Sequence, residues 1–128
     1  MIYTVKGEIL GFENTKKVTI KEIDPLFSTM MDVENEHISF TLVNPFLLRD
    51  YSIEIPLDTK RLLEIEENSK IAVFNILVIQ KPLEKSVINF LAPIVVNLDK
   101  KLLTQIILEP KKHPDYGMAE TIESFREN

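Results

Sequence analysis

The amino-acid sequence predicts an all-β, mainly antiparallel protein: a small β-barrel or sandwich with one short helix and a candidate helix at the C-terminal end. Three observations carry that expectation. Apolar and polar residues alternate with period two in short runs rich in β-branched side chains, the pattern of a strand with one buried and one wet face. Some eight to ten such runs are separated by turn signals at short intervals, as in antiparallel barrels and sandwiches. Strand and helix patterns do not alternate, so a parallel sheet with crossover helices is excluded.

In chain order, Tyr3 and Val5 open the alternation, and Val18 and Ile20 alternate with Thr19 and Lys21. Ile38, Phe40 and Leu42 share one side of a strand whose other side shows Ser39 and Thr41. The connection that follows, LVNPFLLRDYSIEIP over residues 42–56, carries far more apolar surface than a turn needs: Pro45, Phe46, Leu47, Leu48 and Tyr51, then a brief alternation at Ile53 and Ile55. Two uses stay open for it. Phe46, Leu47 and Leu48 either fold inward to plug a barrel end or form a recognition surface whose anchors fill a partner's groove.

In PLDTKRLLEIEENSK, Asp58 as N-cap, with Leu57 and Leu62 at hydrophobic-staple positions, predicts a helix over residues 59–66. IAVFNILVIQ, residues 71–80, is apolar on both faces and rich in β-branched residues, which predicts a central strand covered on each side. After Pro82, VINFLAPIVVN and LLTQIIL flank the turn Leu98-Asp99-Lys100-Lys101 and read as a hairpin. Pro93 lacks an amide hydrogen and so demands an edge, a bulge or a strand start. Met118, Ile122 and Phe125 fall on one side at helical spacing after Pro110, Pro114 and Gly117. Residues 113–128 thus read as a tail with an amphipathic helix, following a single domain over residues 1–112.

The 128 residues, 45% hydrophobic and 27% charged, are enough for one self-supporting core. The absence of cysteine removes disulfides and thiolate chemistry and fits a reducing compartment, so the cytoplasm is expected. The start of the chain has no basic-then-apolar signal pattern, and the longest apolar run is too short to cross a bilayer. A net charge of −5 argues against direct nucleic-acid binding. Residues 24–67 hold ten acids against three bases, the whole acidic surplus, which either solvates a face or steers a basic partner.

No catalytic, cofactor or metal residues emerge. Three glycines, Gly7, Gly11 and Gly117, cannot build a phosphate-cradling loop. His37 and His113 stand apart with no metal-ligand spacing. Asp32, Glu34 and Glu36 alternate as paired carboxylates do, but a polar turn leading into the next strand explains them, and no serine lies in a nucleophile elbow. A non-enzyme is expected.

Two blocks carry a resemblance. LVNPFLLRDYSIEIP resembles the Asn/Ser-Pro-Phe block with a downstream Tyr of the FliW family of flagellar assembly factors, and INFLAPIVVNLDKKLLTQIIL, residues 88–108, is similar to that family's late block. Asp24-Pro25-Leu26-Phe27 and the run at 71–80 fall in the family's order, whereas its early Phe-Pro-x-Gly-Leu-x-Gly-Phe pattern is reduced here to Gly11-Phe12. The resemblance implies a cytoplasmic, non-enzymatic protein that binds flagellin and, in competition, the translational repressor CsrA, with no direct contact to nucleic acid or membrane. Export of flagellin then frees the protein to capture CsrA and relieve repression of flagellin messenger RNA. Matched position by position, the implied partner-binding residues are Asn44, Pro45, Phe46, Leu47 and Tyr51 in the first block and Leu91, Ala92, Pro93 and Asn97 in the second. Pro93 is expected at an outward edge that a partner covers. The competing reading is a barrel that binds a small ligand or carbohydrate inside, which requires polar inward-facing residues.

Overall fold

A computed structural model describes residues 1–125 of the chain. Its nine strands among the described residues are β1 (Ile2–Val5), β2 (Lys17–Glu22), β3 (Phe27–Asp32), β4 (Ser39–Val43), β5 (Ile71–Val78), β6 (Val87–Ile88), β7 (Ile94–Asn97), β8 (Leu102–Gln105) and β9 (Glu120–Thr121), with one helix, α1 (Leu57–Leu62). Neighbours run in the order β4-β3-β2-β1-β8-β7-β5, and β5 returns to pair with β4, closing a seven-stranded barrel. All pairs are antiparallel except β1 with β8. β6 pairs with the far end of β5, and β9 pairs with β6.

The period-two pattern does what the sequence expects of it. Tyr3 and Val5 of β1, Val18 of β2, Met30 of β3, and Phe40 and Leu42 of β4 point inward, where they meet Ile94, Val96 and Leu103 and fill the barrel axis with apolar side chains. Each such side chain, fully buried, contributes about 1.5–3 kcal/mol. The predicted hairpin is β7 and β8, in register from Ile94↔Gln105 to Asn97↔Leu102. Gly11, at φ +83, closes the small turn that bridges Ile9 and Phe12, a left-handed conformation that glycine adopts without strain.

Four expectations are corrected. The strand covered on both faces is β7, whose Val95 packs outward in a second apolar layer with Leu63, Leu91, Ile106 and Leu108. β5 has strands on either side of it, but Val78 and Ile79 at its far end are 53% and 57% exposed. The helix begins two residues early, at Leu57, because Pro56 presets the entry, and Asp58 makes no capping bond. Leu57 and Leu62, the expected staple, are exposed; Leu63, just past the helix, is the fully buried anchor.

The other two corrections concern alternations that mislead. Ile53 and Ile55 alternate with exposed Ser52 and Glu54 but belong to no strand. In place of the predicted C-terminal amphipathic helix, the chain forms β9 and a single 3-10 turn at Ile122–Phe125. Pairing of Val87↔Thr121 and Ile88↔Glu120 holds the segment extended, and of the expected stripe only Ile122 is buried, with Met118 exposed. Residues 126–128, the end of that predicted helix, lie outside the described residues.

Candidate partner-binding site

The 42–56 connection starts where β4 meets a proline. Asn44 caps a 3-10 turn, Pro45–Leu47, its side-chain oxygen accepting from the Phe46 N–H at 3.1 Å. The Pro45 carbonyl accepts from the Leu48 and Arg49 amides at 3.1 and 3.2 Å, tightening the turn. Pro45 is buried beneath it, while Phe46 and Leu47 project from it, 51% and 58% exposed. The apolar residues of the loop divide: Leu48 turns inward onto a second apolar cluster with Tyr51, Phe90 and Ile122, and Phe46 and Leu47 turn out.

Arg49 fastens this loop to the C-terminal segment. Its guanidinium donates to both Glu120 carboxylate oxygens, at 3.0 and 3.3 Å, and to the Asp115 carbonyl at 3.1 Å. It also lies over the rings of Tyr116, Phe90 and Phe125, at 4.8, 5.1 and 5.8 Å from their centroids, an arrangement that suits a planar cation. The Tyr116 hydroxyl accepts from the Ser52 N–H at 2.8 Å and donates to the Ser52 carbonyl at 2.9 Å. One hydroxyl thus satisfies both backbone groups of Ser52, the residue that leads into the Ile53–Ile55 alternation.

Tyr51 points the other way, into the molecule. Its hydroxyl donates to the Phe90 carbonyl at 2.7 Å and stands 3.4 Å from Asn75 Nδ2, which also donates to the Asn89 carbonyl at 3.0 Å. Burial pushes the Tyr51 hydroxyl up to about 12. Through this amide nitrogen Asn75 ties β5 to the strand-connecting segment before β7, while its buried Oδ1 has no partner among the described residues.

Beside the loop runs a groove of about 740 Å³, bounded by Ile20 and Leu26 on one side, Ile53 and Ile55 on the other, and floored by the start of β5. Glu22 is the one charged side chain among its lining residues. Asp24, Asp50 and Glu54 are exposed immediately beside lining residues, as are Lys21 and Lys70. Three of the ten acids in residues 24–67, Asp24, Asp50 and Glu54, thus join Glu22 around this loop and groove, and the other seven lie elsewhere.

The two sequence blocks have different fates. In the first, Asn44 caps, Pro45 and Tyr51 are buried supports, and Phe46 and Leu47 are displayed. The second block is not displayed: Leu91, Ala92, Pro93 and Asn97 are all buried, which corrects the expected outward edge at Pro93. Pro93 takes the strand-start option instead, directly before β7, with its carbonyl accepting from the Ile106 amide at 3.0 Å. Asn97 donates to the Leu63 carbonyl at 2.8 Å and accepts from the Asp99 and Lys100 amides at 3.1 and 3.2 Å, so it fixes the hairpin turn to the end of α1. Sequence reasoning missed Arg49, Tyr116 and Glu120; Arg49 stood within the first block, but nothing in the sequence paired it with a residue 71 positions away.

The remaining candidates have structural work. Asp32 accepts from the Thr15 hydroxyl at 2.7 Å and the Glu34 amide at 2.8 Å, and these bonds hold its carboxyl below the usual carboxylate range. His113 stacks on Tyr116. Among the described residues no three acids or histidines gather to hold a metal, and no helix is long and apolar enough to cross a membrane.

Fold and site together define a small closed β-barrel with a filled apolar interior and a latched surface loop beside a groove. Its sequence matches the family described as "FliW protein" over residues 1–122. The chain belongs to the FliW family. It is 48% identical over 125 residues to flagellar assembly factor FliW 2 of Wolinella succinogenes, covering 98% of this chain and 92% of that one. It is 46% identical to flagellar assembly factor FliW of Sulfurimonas denitrificans, with 98% of each chain covered. A crystal structure of the flagellar assembly factor FliW superposes with a TM-score of 0.85 at 26% identity, over 99% of this chain and 87% of that one.

Proposed function

We propose that this protein is a flagellar assembly factor that acts in the cytoplasm without catalysis, binding flagellin and, in competition with it, the repressor CsrA. The relatives' names support the first part. The observation that carries the second is the display of Phe46 and Leu47 on a turn pinned from beneath, beside a groove ringed by Glu22, Asp24, Asp50 and Glu54. Apolar anchors on a rigid turn lose little entropy on binding, and an acidic rim favours a basic partner in encounter and register. If the two partners exclude one another, free flagellin lowers the apparent affinity for CsrA by mass action, and no nucleotide is consumed. The rival reading of a ligand-binding interior finds no support in an axis packed with Val18, Met30, Leu42 and Ile94. Pull-down of purified CsrA, repeated with increasing flagellin, tests the proposal: capture that weakens as flagellin rises is expected, and failure to bind either protein at micromolar concentration refutes it.

A further inference from the structure

We propose that the unpaired edge of β5 at Ile71 and Val73 is a docking site for an extended segment of a partner protein, which adds a strand to the open seam of the barrel and sets a lysine or arginine beside Glu22. The registers on the two sides of β5 lead to it. The Leu98 amide donates to the Lys70 carbonyl at 2.8 Å, and Ala72 and Phe74 follow on the same ladder, opposite Val96 and Ile94. In an antiparallel pair successive residues turn their backbone groups to alternate sides, so Ala72 and Phe74 face β7 and Ile71 and Val73 face away from it. On that far side β4 pairs only with Asn75, Ile76 and Leu77.

The next rung, opposite Val73, falls to Pro45. Proline has no N–H to give, and the Pro45 carbonyl is already taken by Leu48 and Arg49. The N–H and C=O groups of Ile71 and Val73 therefore face the groove, and among the described residues none of them has a hydrogen-bond partner. Sheet edges of this kind are templates for strand addition, with main-chain bonds supplying affinity and flanking pockets supplying selectivity.

The walls state what the added strand must be. Side chains on its inner face would meet Ile20 and Phe74, and those on its outer face Ile53 and Ile55, so both faces want apolar residues. Glu22 wants one cation, and the neighbouring Asp24, Asp50 and Glu54 outnumber Lys21 and Lys70, since Arg49 is held by Glu120. A second copy of this acidic chain is a poor fit on charge. The proposal does not depend on flagellin or CsrA supplying the strand.

Panning a random-peptide library on the whole protein tests it. Enriched peptides are expected to be apolar with a Lys or Arg, and to protect the Ile71 and Val73 amides from hydrogen exchange. N-methylation of their pairing amides should weaken them about tenfold, from the usual net worth of two lost hydrogen bonds. With the exposed-site variant Glu22→Lys as bait, enrichment should move toward Asp and Glu. The proposal is overturned if nothing is enriched, or if the enriched peptides leave the two amides unprotected or tolerate the methylation. It is equally overturned if protection of those amides rises with protein concentration alone, which would make a second copy the occupant.

Discussion

Replacing Arg49 by alanine should destabilise the protein by about 2–3 kcal/mol, and the reasoning behind that figure can be checked part by part. The guanidinium makes two bonds to Glu120 and one to the Asp115 carbonyl and covers three rings, with its side chain 17% exposed against 27% for Glu120. Breaking a fully buried pair costs about 3–5 kcal/mol and an exposed one about 0–1, so partial exposure places this pair between them. Loss of the ring contacts adds about 1 kcal/mol, while Glu120 keeps the Gly117 amide as a donor at 2.6 Å, which softens the loss. For a domain of this size the sum corresponds to a fall in Tm of roughly 10 °C, measured by circular dichroism with a urea titration beside it. Arg49→Lys keeps the charge but not the fork or the stacking, and should recover less than half of the loss. A double-mutant cycle with Glu120→Gln should return a coupling of at least about 1 kcal/mol. Additive effects, or a single variant within about 0.5 kcal/mol of the native protein, would refute the latch.

The double substitution of Phe46 and Leu47 by alanine should cost only about 1 kcal/mol of stability, since both side chains are more than half exposed and the edge contact of Phe46 with Tyr51 is the packing lost, yet weaken CsrA or flagellin capture by about 2 kcal/mol in a calorimetric titration. Asn97→Ala should do the reverse, costing about 1–3 kcal/mol of stability by orphaning the Leu63 carbonyl and the turn amides, with binding per folded molecule unaltered. In an ultraviolet titration of the three tyrosines, Tyr51 should ionise near pH 12. Because that folded-state pKa lies above the unfolded one, its contribution to stability is complete below about pH 10 and declines between there and pH 12, a decline that Tyr51→Phe should remove. For Asp32 the sign is opposite. Its pKa is lowered on folding, so its contribution is present above about pH 4 and lost in stronger acid, and Asp32→Asn should flatten the acid limb of the stability curve.

The parts of the fold legible in the sequence were those set by local pattern. Phe40 and Leu42 had to face the core because Ser39 and Thr41 could not, and Pro82 and Pro93 had to bound strands because they cannot donate within one. Where the sequence misled, a distant partner had decided the outcome. The Met118-Ile122-Phe125 spacing lost its helix to pairing with β6, and ahead of the Ile53–Ile55 alternation the Tyr116 hydroxyl takes both backbone groups of Ser52. The late block was distinctive in sequence because its residues are constrained from within: Leu91 and Val95 share one apolar layer, and Asn97 binds two separate pieces of backbone. A recognisable motif is thus no guide to an exposed one.

Pro45 answers the question that the apolar connection poses. Its missing N–H stops β4 opposite Asn75, leaving the first four residues of β5 without a partner on that side, and its fixed φ starts the turn that turns Phe46 and Leu47 outward. The same residue therefore opens the seam and raises the display, and it can do both only because Arg49 and Tyr51, a few residues on, return the chain to the barrel wall. A loop built from polar residues alone could span the same strands, but it would offer no apolar anchors and would have no ring stack to hold it. The apolar content that exceeds a turn's needs divides in two, with Leu48 and Tyr51 holding the loop down and Phe46 and Leu47 left exposed as the anchors on which the proposed partner binding rests.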